Sequence, residues 1–111
     1  MDRINVVQIA DAQTTTGAAA QEYDPAKSLM TFQAQGVTSS GSGTATVLIQ
    51  GSLDGSVWVL LGTMTLTLET TLAAGVHDGI AINAPWNKIR ANVSAISGTG
   101  AAVDAFMGVE I

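Results

Sequence analysis

Few residues in this chain are of types that carry out chemistry. Among 111 residues there is one histidine, His77, and no cysteine. A catalytic histidine needs a nucleophile or an orienting carboxylate held against it. Asp78 follows His77 directly, but neighbours on a strand point to opposite faces, so His77 reads as a solvated turn residue. A zinc site wants several His or Cys ligands, and side chains of those types are too few here to build one. The acids Asp2, Asp11, Glu22, Asp24, Asp54, Asp78, Asp104 and Glu110 fall mostly at turns or ends, with Glu69 on a strand. Asp54 and Asp78 each precede a glycine. Asp-Gly serves turn geometry; a calcium ion held where two such turns meet carbonyl groups is the competing reading. A glycosidase pair needs two acids across a cleft, and the sequence neither shows nor excludes one. Gly41-Ser42-Gly43 lacks the lysine and the following helix of a phosphate loop. No residue is therefore assigned as catalytic, cofactor-binding or metal-binding, no cofactor is expected, and the chain reads as a non-enzyme.

Binding is the remaining option, and charge narrows it. Lys plus Arg number 4 and Asp plus Glu 9, for a net charge of −5. Nucleic-acid binders neutralise phosphates with Lys and Arg, and here only Arg3, Lys27, Lys88 and Arg90 are available. Nucleic acid and anionic membrane are thus both unexpected partners. Charged residues make up 12% of the chain against about 25% in ordinary globular domains. A surface so weakly charged is one that partners cover. Of the two tryptophans, Trp58 lies in an apolar run and reads as core. Trp86 follows Pro85 at a break in the pattern, where a half-exposed ring serves either a partner interface or a sugar platform. Asn92-Val93-Ser94 matches a glycosylation sequon; with no secretory signal preceding it, the match reads as chance.

The elements that must position these residues are strands. Period-two alternation runs through the chain and helical periodicity is nearly absent. The expected strands are Ile4–Ile9, Ser28–Gln35, Thr44–Gln50, Val57–Leu61, Thr63–Thr70, Ile80–Ile82, Asn87–Ala95 and Val103–Ile111, with Ile80–Ile82 alternatively a loop end. Val37–Gly43 reads as the turn of a hairpin joining its two flanking strands, and Gly62 as a break between two strands. Ser40-Gly41-Ser42-Gly43 and Ser97-Gly98-Thr99-Gly100 echo each other, which suggests two similar hairpins. Residues 11–27 read as an irregular arm or long loop, with one helical turn at Ala18–Ala20 as the alternative. No run is long and apolar enough to span a bilayer. The expected fold is all-β: one domain over 1–111, an antiparallel β-sandwich, jelly-roll-like, of about eight strands.

One stretch carries a resemblance. Gly51-Ser52-Leu53-Asp54-Gly55-Ser56-Val57-Trp58 follows a strand as G-S-x-D-G-x-x-W and leads into a leucine-glycine pair. Ala84-Pro85-Trp86-Asn87-Lys88-Ile89-Arg90-Ala91-Asn92-Val93 and Ser97-Gly98-Thr99-Gly100 continue it. Over roughly Thr44–Met107 the chain resembles small β-sandwich virion structural proteins of tailed bacteriophages, of the capsid decoration (cement) and head-fibre kinds. That resemblance implies binding to a major capsid protein lattice, self-association as a homotrimer, and location on the capsid surface of the virion after assembly in the host cytoplasm. The Asp11–Lys27 arm and then Trp86 are the segments expected to reach a neighbour. The same motif is also similar to discoidin-type carbohydrate-binding modules, which imply a sugar ligand instead. Another phage head-tail or fibre component is the third alternative.

Overall fold

The structure is a computed structural model that describes residues 4–18, 29–71, 77–83 and 86–110. Among the described residues it is all-β, with eight strands: β1 Ile4–Gln13, β2 Gly17–Ala18, β3 Leu29–Val37, β4 Ser40–Ser52, β5 Val59–Leu68, β6 His77–Asn83, β7 Lys88–Thr99 and β8 Ala102–Glu110. They form two four-stranded antiparallel sheets, in the orders β1-β8-β3-β6 and β2-β7-β4-β5. The pairs β1–β8, β2–β7, β3–β6 and β4–β5 are those of one long hairpin rolled up on itself. Joining β8 to β3 and β7 to β4 closes the roll. This is the jelly-roll topology.

Alternation explains which side of each strand faces in. On β5, Met64, Leu66 and Leu68 are buried while Thr63, Thr65 and Thr67 are exposed. Ala45, Val47 and Ile49 of β4, Ile89, Ala91 and Val93 of β7, Met30, Phe32 and Ala34 of β3, and Val103, Ala105 and Met107 of β8 complete the core. The β-branched and threonine-rich faces suit a pleated surface with one wet side. On β1 both Ile9 and Ala10 are buried, which strict alternation forbids. A register shift between Gln8 and Ala10 supplies the extra residue, as a β-bulge does. A second shift follows, where Ala12 adopts φ 46°. The Asp104 carboxylate accepts the Ala12 N–H at 2.7 Å and the Gln8 amide at 3.2 Å, fixing this irregular stretch. Gln13 then donates to the carbonyls of Thr15 and Gly17 and braces the passage to β2. Residues 11–18, expected as part of an arm, thus extend β1 and form β2; residues 19–27 of that arm lie outside the described residues.

Three expectations change. Among the described strands, only β4 and β5 are consecutive in one sheet. The Val37–Gly43 segment is therefore a corner that carries the chain from one sheet to the other, not a hairpin turn. Ser97–Gly100 does the same between β7 and β8. The two echoing Gly/Ser segments lie against each other: Ser39 N donates to Thr99 O at 2.9 Å, Thr44 N donates to Ser97 Oγ at 3.2 Å, and Ser40 pairs with Thr99. Glycine is needed where they cross, because a Cβ on Gly43 would run into the Ser97 carbonyl group and stand 2.9 Å from Gly98 Cα. Finally, Gly62 does not break the chain. β5 runs through it, with a register shift opposite Ile49/Gln50, and the space a side chain would need is filled by Ile80 and Ile82 of β6.

Candidate functional site: the apolar tip of the β4–β5 hairpin

The G-S-x-D-G-x-x-W motif forms the tip of the one hairpin. Ser52 is buried, and its hydroxyl accepts the Gly55 N–H at 2.8 Å and donates to Asp54 Oδ1 at 3.0 Å. The same oxygen of Asp54 accepts the N–H groups of Ser56 at 2.8 Å and Val57 at 2.9 Å. Gly55 takes φ 81°, a conformation that costs a side chain energy and glycine nothing. Asp54 is thus occupied by its own loop, as an Asx turn requires. The Val57 N–H above all, then the Ser56 N–H and the Ser52 hydroxyl, hold its carboxyl below the ordinary 3.8.

This polar knot leaves the loop's apolar side chains outside. Leu53 is 68% exposed, Val57 66%, Leu60 55% and Val59 44%. Of the large exposed hydrophobic residues among those described, only Val6 lies elsewhere. Trp86 reaches the tip from the segment before β7. Its ring lies over Gly51, where a Cβ would stand 2.7 Å from Trp86 Cγ. Asn87 ties that segment down by donating to Leu53 O at 3.3 Å. Leu53, Asp54, Val57, Val59 and Trp86 surround a shallow depression of about 280 Å³.

Trp58 corrects an expectation. It is half-buried and outside the core cluster, with the Arg90 guanidinium stacked 4.0 Å from its ring centroid. Arg90 in turn donates from Nε to Gln50 Oε1 at 2.8 Å. Strand pairing sets Arg90 opposite Gln50 on the neighbouring strand, so the stack follows from register. Nothing in the local sequence links residues 58 and 90, which is why reading along the chain misses it. Trp86 is half-exposed, as expected, with the rest of its ring packed against the core.

The residues that invited catalytic or metal readings are not brought together. His77 is exposed at the start of β6. The Asp78 carboxylate accepts the Gly79 N–H at 2.8 Å and, across to the other sheet, the Thr65 N–H at 3.3 Å. That second bond occupies a donor on β5, an edge strand, and so blunts the edge there. Gln33, His77, Asp78 and Gly79 line an open hollow of about 320 Å³. Thr65 stands six residues past Val59 on β5, about 20 Å at ~3.3 Å per residue. Asp78 and the Asp54 loop are therefore at different places on the sandwich. Among the described residues, no three of His, Cys, Asp or Glu are grouped to hold a metal ion.

The fold and tip together define an eight-stranded jelly roll with an apolar end. No protein-family model and no curated protein matches the chain. Among solved structures it is similar to YomS, a protein derived from the SPBc2 prophage, at 11% identity and TM-score 0.64, covering 100% of this chain and 96% of that one. A chain in the structure of infectious bursal disease virus, Gx strain, aligns at 15% identity and TM-score 0.41, over 99% of this chain and 32% of that one. The likeness to YomS concerns the fold.

Proposed function

We propose that this chain is a non-enzymatic structural protein of a phage particle, a capsid decoration protein that binds the major capsid protein lattice from the outside of the head. The observation that carries this reading is the apolar tip, where Leu53, Val57 and Val59 stand exposed around Trp86 beside a loop locked by its own hydrogen bonds. A preordered apolar projection loses little entropy when a protein covers it. The fold shared with a prophage-derived protein and the sparse surface charge support the same setting. The mechanism is interfacial. A protein that binds the expanded lattice better than its alternatives stabilises it by RT ln(1 + [L]/Kd), about 2.7 kcal/mol per site at a hundredfold excess over Kd.

The tip fits a protein better than a sugar. A sugar platform needs an open aromatic face edged by hydrogen-bonding groups. The face of Trp58 is covered by Arg90 and that of Trp86 lies over Gly51, while the rim of the depression is mostly aliphatic. The deciding experiment is co-sedimentation of the purified chain with expanded and unexpanded heads of the phage that encodes it. Saturable binding to expanded heads, with a raised head-disruption temperature, is expected. No binding to either form would end this reading.

A further inference from the structure

We infer that Asp78-Gly79 is a self-modification site, where the folded chain slowly converts Asp78 to isoaspartate and so loosens the seam between its two sheets. The inference is independent of the capsid reading, because it concerns how the molecule ages wherever it acts.

The reaction needs only the chain and water. The Gly79 nitrogen attacks the Asp78 carboxyl carbon, a bond forms between them, and one carboxyl oxygen leaves as water. This closes a succinimide ring. Water then adds to one of the two ring carbonyls and breaks its bond to the nitrogen. Opening at the side-chain carbonyl restores aspartate. Opening at the backbone carbonyl routes the chain through the side chain and gives isoaspartate. One water is lost and one regained, and nothing is oxidised or reduced. The step requires an unshielded nitrogen, a carboxyl carbon held beside it and a backbone able to bend.

Asp78 meets all three. The Gly79 N–H donates to Asp78 Oδ1 at 2.8 Å. The carboxyl carbon lies one bond beyond, and the proton that the nitrogen must give up already points at an oxygen that can leave. The Thr65 N–H donates to the other oxygen, Oδ2, at 3.3 Å, where negative charge gathers as the nitrogen adds. Gly79 is exposed, and a Cβ there would meet only Phe32 O, at 3.3 Å. The hollow bounded by Gln33, His77, Asp78 and Gly79 is open and admits the water that opens the ring. The backbone can bend because β6 is an edge strand, paired among the described residues with β3 alone, and Asp78 is its second residue. Strand ends open at low cost.

Asp54-Gly55 has the same two residue types in the opposite arrangement. The Gly55 N–H points away from the Asp54 carboxyl, donating to Ser52 Oγ at 2.8 Å. Asp54 Oδ1 is held by the Ser52 hydroxyl and by the N–H groups of Ser56 and Val57. The protonated carboxyl is the reactive one, and these donors, Val57 first, keep Asp54 ionised below the ordinary 3.8. A ring closing there breaks four hydrogen bonds of one loop. At Asp78 it disturbs the end of one ladder. The product there carries an extra backbone atom, so the start of β6 loses its register with β3. Its carboxylate moves off Thr65, and the N–H that it covered on the β5 edge is left open.

Peptide mapping by mass spectrometry, after weeks in mildly acidic buffer, tests this on the whole chain, with isoaspartate identified by enzymatic methylation. Chain unfolded in urea is incubated alongside; there both Asp-Gly pairs lose their surroundings and should convert at comparable rates. In the folded chain residue 78 should convert roughly tenfold faster than residue 54, or more, since more hydrogen bonds must break at the loop. Gly79→Ala places a methyl group beside the nitrogen and should slow conversion at 78 while leaving that at 54 unchanged. Conversion at 54 that matches or exceeds that at 78 in the folded chain overturns the inference. So does a folded chain unconverted at 78 once the unfolded chain has largely converted, or a Gly79→Ala chain that converts at the native rate.

Discussion

Gly43→Ala is the substitution that separates a corner from a hairpin. In an open Gly/Ser turn, or on a strand with free space above it, alanine for glycine is neutral or gains ~0.5–1 kcal/mol. Where the two corners cross, it meets the Ser97 carbonyl group and Gly98 Cα, all of it backbone. No side chain can swing aside, so β4 and β7 must part. Overpacking of that kind costs ~1–3 kcal/mol. Parting the strands also breaks the bonds from Thr44 to Ser97, one from the N–H at 3.2 Å and one between hydroxyls at 3.0 Å, each contributing ~1 kcal/mol. After the intrinsic gain from alanine is subtracted, the expected loss is roughly 2–4 kcal/mol. At ~4–8 °C per kcal/mol for domains near this size, the melting temperature should fall by roughly 8–32 °C. Thermal and urea unfolding followed by circular dichroism read this directly. Gly79→Ala is the control: it too lies in a strand, with its nearest obstacle, Phe32 O, 3.3 Å away, and its midpoint should stay within ~1 kcal/mol of the native value. If Gly43→Ala unfolds at the native midpoint, the two corners do not cross as described.

Other substitutions test the core and the tip. Ile49→Ala, fully buried at the centre of β4, should cost ~2–5 kcal/mol in urea unfolding. Gly51→Ala should displace Trp86, whose ring occupies that space, lowering stability by ~1–3 kcal/mol and shifting tryptophan emission to the red. Arg90→Lys keeps the charge but loses the planar stack on Trp58 and the Nε bond to Gln50; a loss of ~0.5–1 kcal/mol is expected, with changed emission. Asp54 has its carboxyl held below 3.8, chiefly by the Val57 N–H. A depressed carboxylate stabilises the fold above its unfolded value and loses that contribution as pH falls through the folded value. The native melting temperature should therefore decline more steeply below pH 3.8 than that of Asp54→Ala, which should already melt lower at pH 7.

Much of this fold is legible along the chain because burial repeats every second residue. Thr63–Thr70 and Val103–Ile111 read as one-sided strands, and β5 buries Met64, Leu66 and Leu68 and β8 buries Val103, Ala105 and Met107 on the expected faces. Period two tells which side of a strand is wet, but not which strand lies next to it. A Gly/Ser segment between two alternating runs looks the same whether the chain folds back in one sheet or crosses to the other. The choice is made by closure of the roll: β3 finds β8 and β6, and β4 finds β7 and β5, so the segment between β3 and β4 must span the two layers. Gly62 is misread for a related reason. A glycine in a strand usually marks a bulge or a close approach, and here both hold, with a register shift beside it and Ile80 packed onto it.

The tip follows the same logic. Asp-Gly after a strand is a turn signal that holds in the structure, because Asp54 bonds locally, to Ser52, Ser56 and Val57. The fate of the tryptophans is not local. Trp58 sits in Val57-Trp58-Val59-Leu60-Leu61, the most apolar run nearby, and composition alone sends it to the core. It is half-buried outside the core cluster, where Arg90, opposite Gln50 on the neighbouring strand, gives the ring a partner. Trp86 packs part of its ring on the core because Gly51 leaves it space and Asn87 anchors the segment that carries it. Leu61 of the run still packs on the core, whereas Val57, Val59 and Leu60 stay exposed. An apolar run that reads as interior in the sequence becomes, once its aromatics are taken, the exposed end of the molecule.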